Sequence, residues 1–458
     1  MKVVIAGAGM VGQNIATYLA RAGNDVTVID QRPDLVQRLG ETLDIRALSG
    51  FASHPSVLER AGCGEADLLI AVTYADEVNM VACEIAHTLF KVPTTIARIR
   101  QQDYLQSRWQ DLFSRGGLPI DVIISPEMEI ARAMARRLEL PGALDAIPFA
   151  DDKVRLIAVH CQPSTPILDT PLRQLTRLFP DLHLTVVAIT RGERLFVPEP
   201  DDQILVDDEV HFVIETSQIQ RGLTAFGYDE PASERIVIAG GGNIGLYLAG
   251  ELEERLPKAE LRLIEFDAAR AEMVADTLER TVVLQGDATD REIQLEAGIA
   301  DADAIVTVTN EDEVNVMAAL LGKRLGCRRA MALINNATYA SLIRSVGIDV
   351  AVNPRDTTVS SILQHVRRGR IKAVHTLRDG EAEIYEAEAL ETSPLVGKSL
   401  RDVRLPSGMI IGVIVRDEKV VLPRGDTVVR PKDRVVLVAR ADMVKKVEQL
   451  FAVRLDYF

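Results

Sequence analysis

Short apolar runs alternate with amphipathic stretches through the first 125 residues of the chain. The runs are rich in valine, isoleucine and leucine, which is typical of buried strands in a parallel sheet. Between them, apolar residues recur at helical spacing, as they do from Val11 to Leu19. The pattern predicts a doubly wound, Rossmann-like α/β sheet with helices on both faces. Its strands are expected at Val3–Ala6, Val26–Ile29, Asp44–Leu48, Leu68–Val72, Thr95–Ile99 and Val122–Ile124.

The pattern changes after residue 125. Ser125-Pro126 precedes a predicted helix, Glu127–Leu138, whose broad apolar face could pack on its own domain or cross into a neighbour as a dimer contact. Shorter strand-like runs follow, and a hairpin is expected at Arg191-Gly192-Glu193. We predict a small α+β module with strands at Val154–Val159, Thr185–Ile189, Leu195–Val197 and Glu209–Ile214 and a helix at Leu172–Leu178.

The same order of elements then occurs a second time. The strand and glycine loop of Val3–Gly12 recur at Arg235–Gly245, and Ala66–Asn79 matches Ala302–Asn315 at positions other than glycine. An offset of about 230 residues that is kept along the chain indicates a tandem duplication. Two unrelated nucleotide-binding domains would not share the non-glycine positions as well.

The duplication predicts five segments in chain order. They are a first Rossmann-like nucleotide-binding domain (1–125), a crossover helix with a first small α+β module (126–226), a linker (227–233), a second Rossmann-like nucleotide-binding domain (234–353), and a crossover helix with a second small α+β module (354–458). Helices are expected at Pro354–His365 and Asp442–Phe451. The basic stretch His365–Lys372 is either a solvated helix end or a site for an acidic partner or a phosphate.

Gly7, Gly9 and Gly12 form a G-x-G-x-x-G motif between the first strand and the first helix. Such glycines permit a tight turn, the approach of a pyrophosphate and close packing of helix on strand. The helix start then offers N–H groups to a phosphate. Asp30 ends the second strand, where an acid accepts hydrogen bonds from the adenine ribose and repels the extra phosphate of NADP. A glycine-rich turn without a ligand is the simpler alternative.

The second repeat has its own glycine loop and its own acid. The loop is Gly240-Gly241-Gly242-Asn243-Ile244-Gly245, and Glu265 follows the next apolar run. Strand, loop, helix and acid thus occur in the same order in both repeats. The sequence predicts two nucleotide sites.

The composition excludes several classes of function. The net charge of −15 argues against nucleic-acid binding and against direct docking on an anionic membrane, since both depend on basic residues. No apolar run has the roughly 18 residues needed to cross a bilayer, and we expect no signal peptide, because the chain opens on a strand. The four cysteines are scattered and we assign no metal site.

Together these features resemble the regulator-of-K⁺-conductance (RCK, or KTN) family, in the tandem form of the regulatory subunits of Trk-type potassium uptake systems. The resemblance extends essentially from end to end, which makes it more specific than any single motif. The segments that carry it are Val3–Gly9, Gly50–Pro55, Ala71–Glu77 and Ile96–Arg100 in the first half, and Gly240–Gly245, Gly286–Ala288, Ala332–Ile334 and Ser361–Arg367 in the second.

The resemblance implies a cytoplasmic regulatory subunit that gates a membrane K⁺-translocating subunit of the TrkH/TrkG type. It implies binding of NAD(H) and of ATP or ADP. It also implies assembly of copies into a homotetrameric ring. Attachment to the inner face of the membrane would be peripheral and would go through the partner, without a lipid anchor.

The resemblance also assigns residues to the two sites. In the first copy the implied site residues are Gly7, Ala8, Gly9, Met10, Val11, Gly12, Asp30, Phe51, Ala52, Thr73, Tyr74, Arg98 and Arg100. In the second copy they are Gly240, Gly241, Gly242, Asn243, Ile244, Gly245, Glu265, Asp287, Ala288 and Thr309. Arg98 and Arg100 would hold a phosphate, or else form surface ion pairs.

Two departures from the pattern make the copies unequal. Phe51 stands where the first copy would have the aspartate that is Asp287 in the second. Leu333 and Asn335 stand where the first copy has its two arginines. We therefore expect the first copy to bind a polyphosphate more tightly than the second.

Two other classes of function remain to be weighed. An NAD-dependent oxidoreductase would need a general acid or base near the hydride position, and no Tyr-x-x-x-Lys pair or histidine cluster supplies one. A static scaffold would leave both glycine motifs without a use. We predict a ligand-gated regulator that has no catalytic residues.

Overall fold

The computed structural model describes residues 1–451, apart from residues 106, 114–116, 337–338, 340–342, 344–345, 367–369, 379 and 404. The chain divides into two compact units, residues 1–127 and residues 128–458. The first unit holds one parallel sheet, and the second holds one parallel and two antiparallel sheets. The five segment boundaries expected from the sequence stay predictions.

The first unit is built on a six-stranded parallel sheet. Its strands are β1 (Lys2–Ala6), β2 (Asp25–Asp30), β3 (Arg46–Ser49), β4 (Leu68–Ala71), β5 (Thr94–Arg98) and β6 (Val122–Ile124). They pair in the order β3-β2-β1-β4-β5-β6, so the sheet grows first to one side of β1 and then to the other. Ligands of such sheets lie at the carboxyl ends of the strands, where the order reverses. The predicted doubly wound sheet is confirmed.

Helices connect the strands of the first unit. They are α1 (Met10–Arg21), α2 (Pro33–Thr42), α3 (Pro55–Arg60), α4 (Asp76–Thr88), α5 (Gln102–Leu105) and α6 (Pro126–Glu139), whose residues after 127 belong to the second unit. α4 begins at Asp76, within the segment Ala66–Asn79 that recurs in the second repeat. Asp76 and Glu77 occupy its first turn, where acidic side chains favour the positive end of the helix dipole.

A five-stranded antiparallel sheet follows in the second unit. Its elements are β7 (Ala143–Phe149), β8 (Val154–His160), α7 (Leu172–Leu178), β9 (Leu184–Arg191), β10 (Arg194–Phe196), β11 (Glu209–Glu215) and α8 (Ile219–Ala225), with strand order β10-β9-β11-β8-β7. The hairpin of β9 and β10 is confirmed. β7 was not predicted, because Asp145 and Pro148 interrupt its apolar run.

The second parallel sheet repeats the first. Its strands, β12 (Arg235–Ala239), β13 (Glu260–Glu265), β14 (Val282–Gln285), β15 (Ala304–Thr307), β16 (Arg329–Leu333) and β17 (Val350–Val352), pair in the order β14-β13-β12-β15-β16-β17. The helices described around it are α9 (Asn243–Arg255), α10 (Ala268–Thr277), α11 (Arg291–Glu296) and α12 (Asp312–Leu325). The same strand order confirms the duplication that the sequence predicts.

The last segment rebuilds the antiparallel module. Its elements are α13 (Pro354–Val366), β18 (Ile371–Leu377), β19 (Ala382–Glu388), β20 (Met409–Arg416), β21 (Lys419–Val421), β22 (Arg434–Arg440) and α14 (Val444–Phe451). β18 was not predicted, because Ile371 and Lys372 were included in the basic stretch at the end of α13. Residues 367–369 of that stretch lie outside the described residues, and Lys372 pairs with Glu388 at 3.1 Å.

The apolar face of α6 is covered within the chain. Ile130, Met134 and Leu138 are buried in one cluster with residues of the second parallel sheet, among them Leu333 and Val352. From residue 128 onward the helix packs on the second repeat of the same chain, and the dimer contact expected as an alternative stays a prediction.

The two antiparallel sheets pack face to face inside the second unit. Leu156 and Val213 of the first sheet share a buried cluster with Ile384, Val436 and Val438 of the second. Sheets packed in this way exclude water from both inner faces. No described helix has the length and apolarity needed to cross a membrane.

Candidate functional site

The first glycine loop joins β1 to α1 beside the point where the strand order reverses. Gly7 has a φ of +115°, and its N–H donates to the Ile29 carbonyl at 2.7 Å. A Cβ on Gly12 would lie 1.9 Å from the Gly7 carbonyl oxygen, so this position admits only glycine. A Cβ on Gly9 would meet no atom within 4 Å. The loop is closed against the protein at Gly12 and open at Gly9, where a phosphate could approach.

The start of α1 presents main-chain donors to this opening. Gly9 is the N-cap residue and has no side chain that could accept from the first N–H groups of the helix. Met10, the first helical residue, is exposed, and Val11 is half-buried. A helix start without a side-chain cap is suited to bind an anion.

Asp30 holds the glycine loop through one carboxylate oxygen and the residue before α2 through the other. Oδ2 accepts the N–H of Ala8 at 2.6 Å, and Oδ1 accepts the N–H of Arg32 at 2.9 Å. Each carboxylate oxygen can accept a further hydrogen bond. Asp30 is therefore placed to fix the loop and still to bind a ribose hydroxyl.

Asn79 joins the ends of β4 and β5, and it is not among the site residues predicted from the sequence. It is fully buried. Its Oδ1 accepts the N–H of Thr73 at 2.8 Å and the hydroxyl at 2.7 Å, and its Nδ2 donates to the Arg98 carbonyl at 2.9 Å. Asn79 thus positions both Thr73 and Arg98. The signal that could have found it is the identical Asn315 of the second repeat.

Arg98 and Arg100 come together on one carboxylate. Arg98 Nη2 lies 2.5 Å from Glu127 Oε1, and Arg100 Nε lies 3.4 Å from the same oxygen. Asp76, buried at the start of α4, accepts the main-chain N–H of Arg100 at 2.8 Å. The expected ion pair is thus present, but its side chains are mostly buried, and the binding of a phosphate by the two arginines stays a prediction.

Two exposed aromatic side chains flank the first site. Tyr74 is 85% exposed, and the Arg100 guanidinium lies over its ring at 4.8 Å from the ring centre. Phe51 is 52% exposed and contacts the His54 ring, whereas Ala52 beside it is buried. An exposed ring can stack on a base or a guanidinium. Their use by a ligand stays a prediction.

The second glycine loop has the geometry of the first. Gly240 has a φ of +112°, and a Cβ on Gly245 would lie 1.9 Å from the Gly240 carbonyl oxygen. Glu265 Oε2 accepts the Gly241 N–H at 2.6 Å. A Cβ on Gly241 would lie 2.9 Å from Glu265 Oε2 and 3.2 Å from its Cβ, so the longer acid of this copy favours glycine where the first copy has Ala8.

The second loop is also bound by a side chain that the first copy lacks. Arg270 Nε donates to the Gly241 carbonyl at 2.7 Å, and its Nη2 lies 3.3 Å from Asn243 Oδ1. Gly242 is exposed and would place a Cβ in open space, and Ile244 is half-buried. The second loop is therefore also open to a phosphate at Gly242, and the guanidinium group of Arg270 lies beside it.

At the strand ends of the second site, the hydrogen bonds made by Asn79 and Asp76 in the first copy recur, but the two arginines do not. Asn315 Oδ1 accepts the N–H of Thr309 at 2.8 Å, as in the first copy. Asp312 accepts the N–H and the side-chain amide of Asn335, both at 3.0 Å. Leu333, at the position of Arg98, is buried. At these strand ends the second site therefore lacks the two guanidinium groups of the first, and its guanidinium group, that of Arg270, lies at the glycine loop instead.

Asp287 and Ala288 lie at the end of β14, and the second of them is buried. Asp287 is exposed, and its Oδ1 accepts both the N–H of Thr289 at 2.8 Å and its hydroxyl at 2.7 Å. The copies thus differ as expected at this position: a carboxylate stands in the second and an aromatic ring in the first.

The groups described at the two sites are of kinds that bind a nucleotide. In the part of the chain that the structure describes, no group of three His, Cys, Asp or Glu side chains could hold a metal ion. Burial raises the pKa of the Cys63 thiol to about 12 and that of Cys327 to about 11, so neither is a ready nucleophile. Main-chain donors, guanidinium groups and exposed rings are what a nucleotide would meet.

Comparison with known families matches both halves of the chain. The TrkA-N domain matches residues 3–126 and 236–354, and the TrkA-C domain matches residues 156–226 and 384–452. The first pair contains the two parallel sheets, and the second contains most of each antiparallel sheet.

Solved structures share the fold. The RCK domain of GsuK aligns with 99% of this chain and 95% of its own, with a TM-score of 0.61 at 18% identity. A GsuK channel bound to NAD aligns with 99% of this chain and 79% of its own, also with a TM-score of 0.61 at 18% identity. At this identity the likeness concerns the fold alone.

Relatives of known name are similar over their full length. The Trk system potassium uptake protein TrkA of Azorhizobium caulinodans is 53% identical over 458 residues, with 100% of both chains covered. The TrkA of Halomonas elongata is 42% identical over 462 residues, again with 100% of both chains covered. With these relatives and with both domain models matched twice, the chain belongs to the TrkA family of Trk system potassium uptake proteins.

Proposed function

We propose that this chain is a nucleotide-binding regulatory subunit of a potassium uptake system. Membership of the TrkA family over the full length supports the regulatory role. The observation that carries nucleotide binding is the pairing of Ala8 with Asp30, repeated as Gly241 with Glu265. In both copies an acid holds a glycine loop in the shape that a phosphate needs.

The partner in this proposal is a membrane K⁺-translocating subunit of the TrkH/TrkG type. The chain docks on its cytoplasmic face, and copies of the chain assemble into a homotetrameric ring. The net charge of −15 disfavours direct binding to anionic lipid, so attachment goes through the protein partner. The shared fold of the GsuK channel supports the architecture.

The ligands in this proposal are NAD(H) and ATP or ADP. Asp30 disfavours a phosphate on the ribose, which selects NAD(H) over NADP(H). Arg98 and Arg100 supply the positive charge that a longer phosphate chain needs. The same scaffold can then respond to two ligands that differ beyond the second phosphate.

Regulation in this proposal needs no reaction at the nucleotide. A ligand shifts the protein between two arrangements if its affinity for them differs. The alternative, an NAD-dependent oxidoreductase, also needs a proton donor or acceptor beside the nicotinamide. Calorimetry with NADH and ATP, together with a screen for NAD reduction by small alcohols and acids, separates the two. We expect binding in the micromolar range, about −8 kcal/mol, and no turnover; no heat with any adenine nucleotide, or robust NAD reduction, would refute the proposal.

Asp30→Ala is expected to weaken NADH binding to the first site by about ten- to a hundredfold, since a charge-assisted hydrogen bond contributes roughly 1.5–3 kcal/mol. Glu265→Ala should leave the tighter site nearly unchanged, because Glu265 supports only the second loop. Calorimetry on both variants measures the difference. Equal losses of tight binding would contradict the inequivalence of the two sites.

Arg100→Ala is expected to remove the effect of ATP on K⁺ flux and to leave NADH binding nearly intact. Arg100 carries the charge that distinguishes a terminal phosphate from a nicotinamide riboside. Flux through the reconstituted complex, with and without each nucleotide, is the measurement. Arg60→Ala, which removes an exposed arginine in the last turn of α3, is the control. An unchanged ATP response would place the switch elsewhere, with the second copy around Asp287 as the next candidate.

A further inference from the structure

Glu127 is placed where a terminal phosphate would have to bind if Arg98 and Arg100 are its ligands. One oxygen of this carboxylate lies 2.5 Å from Arg98 Nη2 and 3.4 Å from Arg100 Nε. The two arginines leave the carboxyl end of β5, and Glu127 lies in the first turn of α6. A single carboxylate therefore occupies the space between two guanidinium groups.

This group of charges is shielded from water. The side chains of Glu127, Arg98 and Arg100 are 11%, 16% and 28% exposed. In the described part of the chain, Glu127 Oε2 and Arg98 Nε are buried and have no hydrogen-bond partner. Charges in such a setting interact more strongly than at the surface, and an unpaired one is costly. The two cations thus depend on an anion, and the carboxylate present leaves one nitrogen of Arg98, Nε, without a hydrogen bond.

We infer that Glu127 is a specificity-determining residue of the first site, an internal counter-ion that a terminal phosphate must displace. This inference rests on the proposed binding of nucleotides to that site. A phosphate offers three oxygens to two guanidinium groups, and it forms bidentate hydrogen bonds that one carboxylate oxygen does not. A ligand without charge at this point gains nothing by displacing Glu127. The carboxylate therefore sets how strongly ATP is preferred to NADH.

The second copy lacks both the two arginines and the carboxylate, which supports a link between them. Leu333 and Asn335 replace the two arginines, and Arg355 occupies the position of Glu127. The carboxylate is present where the arginines are present, and it is absent where they are absent. An acid that served only to start the crossover helix would be expected in both copies, since helix α13 also begins with Pro354.

The test is the selectivity of the full-length protein after Glu127→Gln, which removes the charge and keeps the size. Calorimetry with ATP and with NADH is the measurement. ATP should bind about tenfold more tightly, because its phosphate no longer competes with a carboxylate, while NADH should change by less than about twofold. The gain for ATP should vanish when Arg98→Ala and Arg100→Ala are added to Glu127→Gln.

Several outcomes would overturn the inference. ATP binding that weakens in Glu127→Gln would show that the carboxylate supports the ligand, and an equal gain for both nucleotides would show a general effect on the loop. If Glu127→Gln does not fold, Glu127→Asp tests the same competition. Its shorter side chain should give a smaller gain in ATP affinity. An unchanged ratio of ATP affinity to NADH affinity would contradict the competition. If the unaltered chain binds neither nucleotide, the proposed function fails, and the inference fails with it; a change confined to the ratio bears on Glu127 alone.

Discussion

Replacing Gly12 by alanine is expected to disrupt the first glycine loop and to abolish nucleotide binding at the first site. A Cβ at this position would lie 1.9 Å from the Gly7 carbonyl oxygen and 3.4 Å from a methyl group of Val72. Since the near atom belongs to the backbone, it cannot rotate away, and α1 must shift from β1. Overpacking typically costs 1–3 kcal/mol, and we expect about 3 kcal/mol or more here. Chemical denaturation and calorimetry with NADH measure the two effects.

Gly9→Ala is the matched control for this change. The same methyl group is added two positions earlier in the loop, but a Cβ on Gly9 would meet no protein atom within 4 Å. Its stability should therefore stay close to that of the unaltered chain, whereas its affinity for a nucleotide should fall, because the methyl group occupies the open side of the loop. Similar losses of stability in both variants would contradict the close approach at Gly12.

The parallel sheets were predictable because their strands are buried on both faces. Continuous apolar runs such as Val3–Ala6 and Leu68–Val72 then mark them without ambiguity. The antiparallel strand β7 was not predictable, because Asp145 and Pro148 interrupt its run of apolar residues. Pairing with β8 and the contact of Ile147 and Phe149 with the second antiparallel sheet stabilise it. Such contacts arise only from the tertiary structure.

The site was predictable as far as a local motif describes it. The glycines and Asp30 follow from spacing alone, since loop, helix and acid lie within 30 residues. The role of Glu127 does not follow from spacing, because Glu127 lies 29 residues along the chain from Arg98, to which it binds. The repeat gives no signal either, since an arginine stands at the equivalent position of the second copy. Asn79 lies between these cases: the repeat shows that it recurs as Asn315, but only the structure shows what it bonds.

One pair of differences between the copies could be explained only with coordinates. Ala8 with Asp30 in the first copy becomes Gly241 with Glu265 in the second. Read as a sequence, both changes are conservative and unrelated. In the structure they are linked, because the longer side chain of Glu265 fills the space that the methyl group of Ala8 occupies in the first copy. The two sites reach the same hydrogen bond by different side-chain lengths.

Asp145→Asn is expected to destabilise the second unit by about 3 kcal/mol, the lower end of the cost of breaking a buried ion pair. Asp145 Oδ1 lies 2.9 Å from Arg137 Nη2, whose side chain is buried. Burial by itself would raise the pKa of Asp145, but Arg137, His375 and Arg136 outweigh it and hold the pKa below its usual range. Burial lowers the pKa of His375 to about 4, so at neutral pH the imidazole is uncharged and Asp145 is left as the counter-ion of Arg137. Chemical denaturation at pH 7 measures the loss.

Asp152→Asn makes the same chemical change in the same module and serves as the control. Asp152 binds Arg155 with two hydrogen bonds of 2.6 and 2.7 Å, which is a better geometry than that of Asp145. Its side chain is 46% exposed, however, against 23% for Asp145. Exposed pairs contribute about 0–1 kcal/mol, because water replaces the lost partner. We therefore expect Asp152→Asn to cost less than about 1 kcal/mol. Equal losses of unfolding free energy in the two variants would mean that burial does not decide how much these ion pairs contribute. The ion pair of Arg137 and Asp145 would then not be what stabilises the contact between α6 and β7.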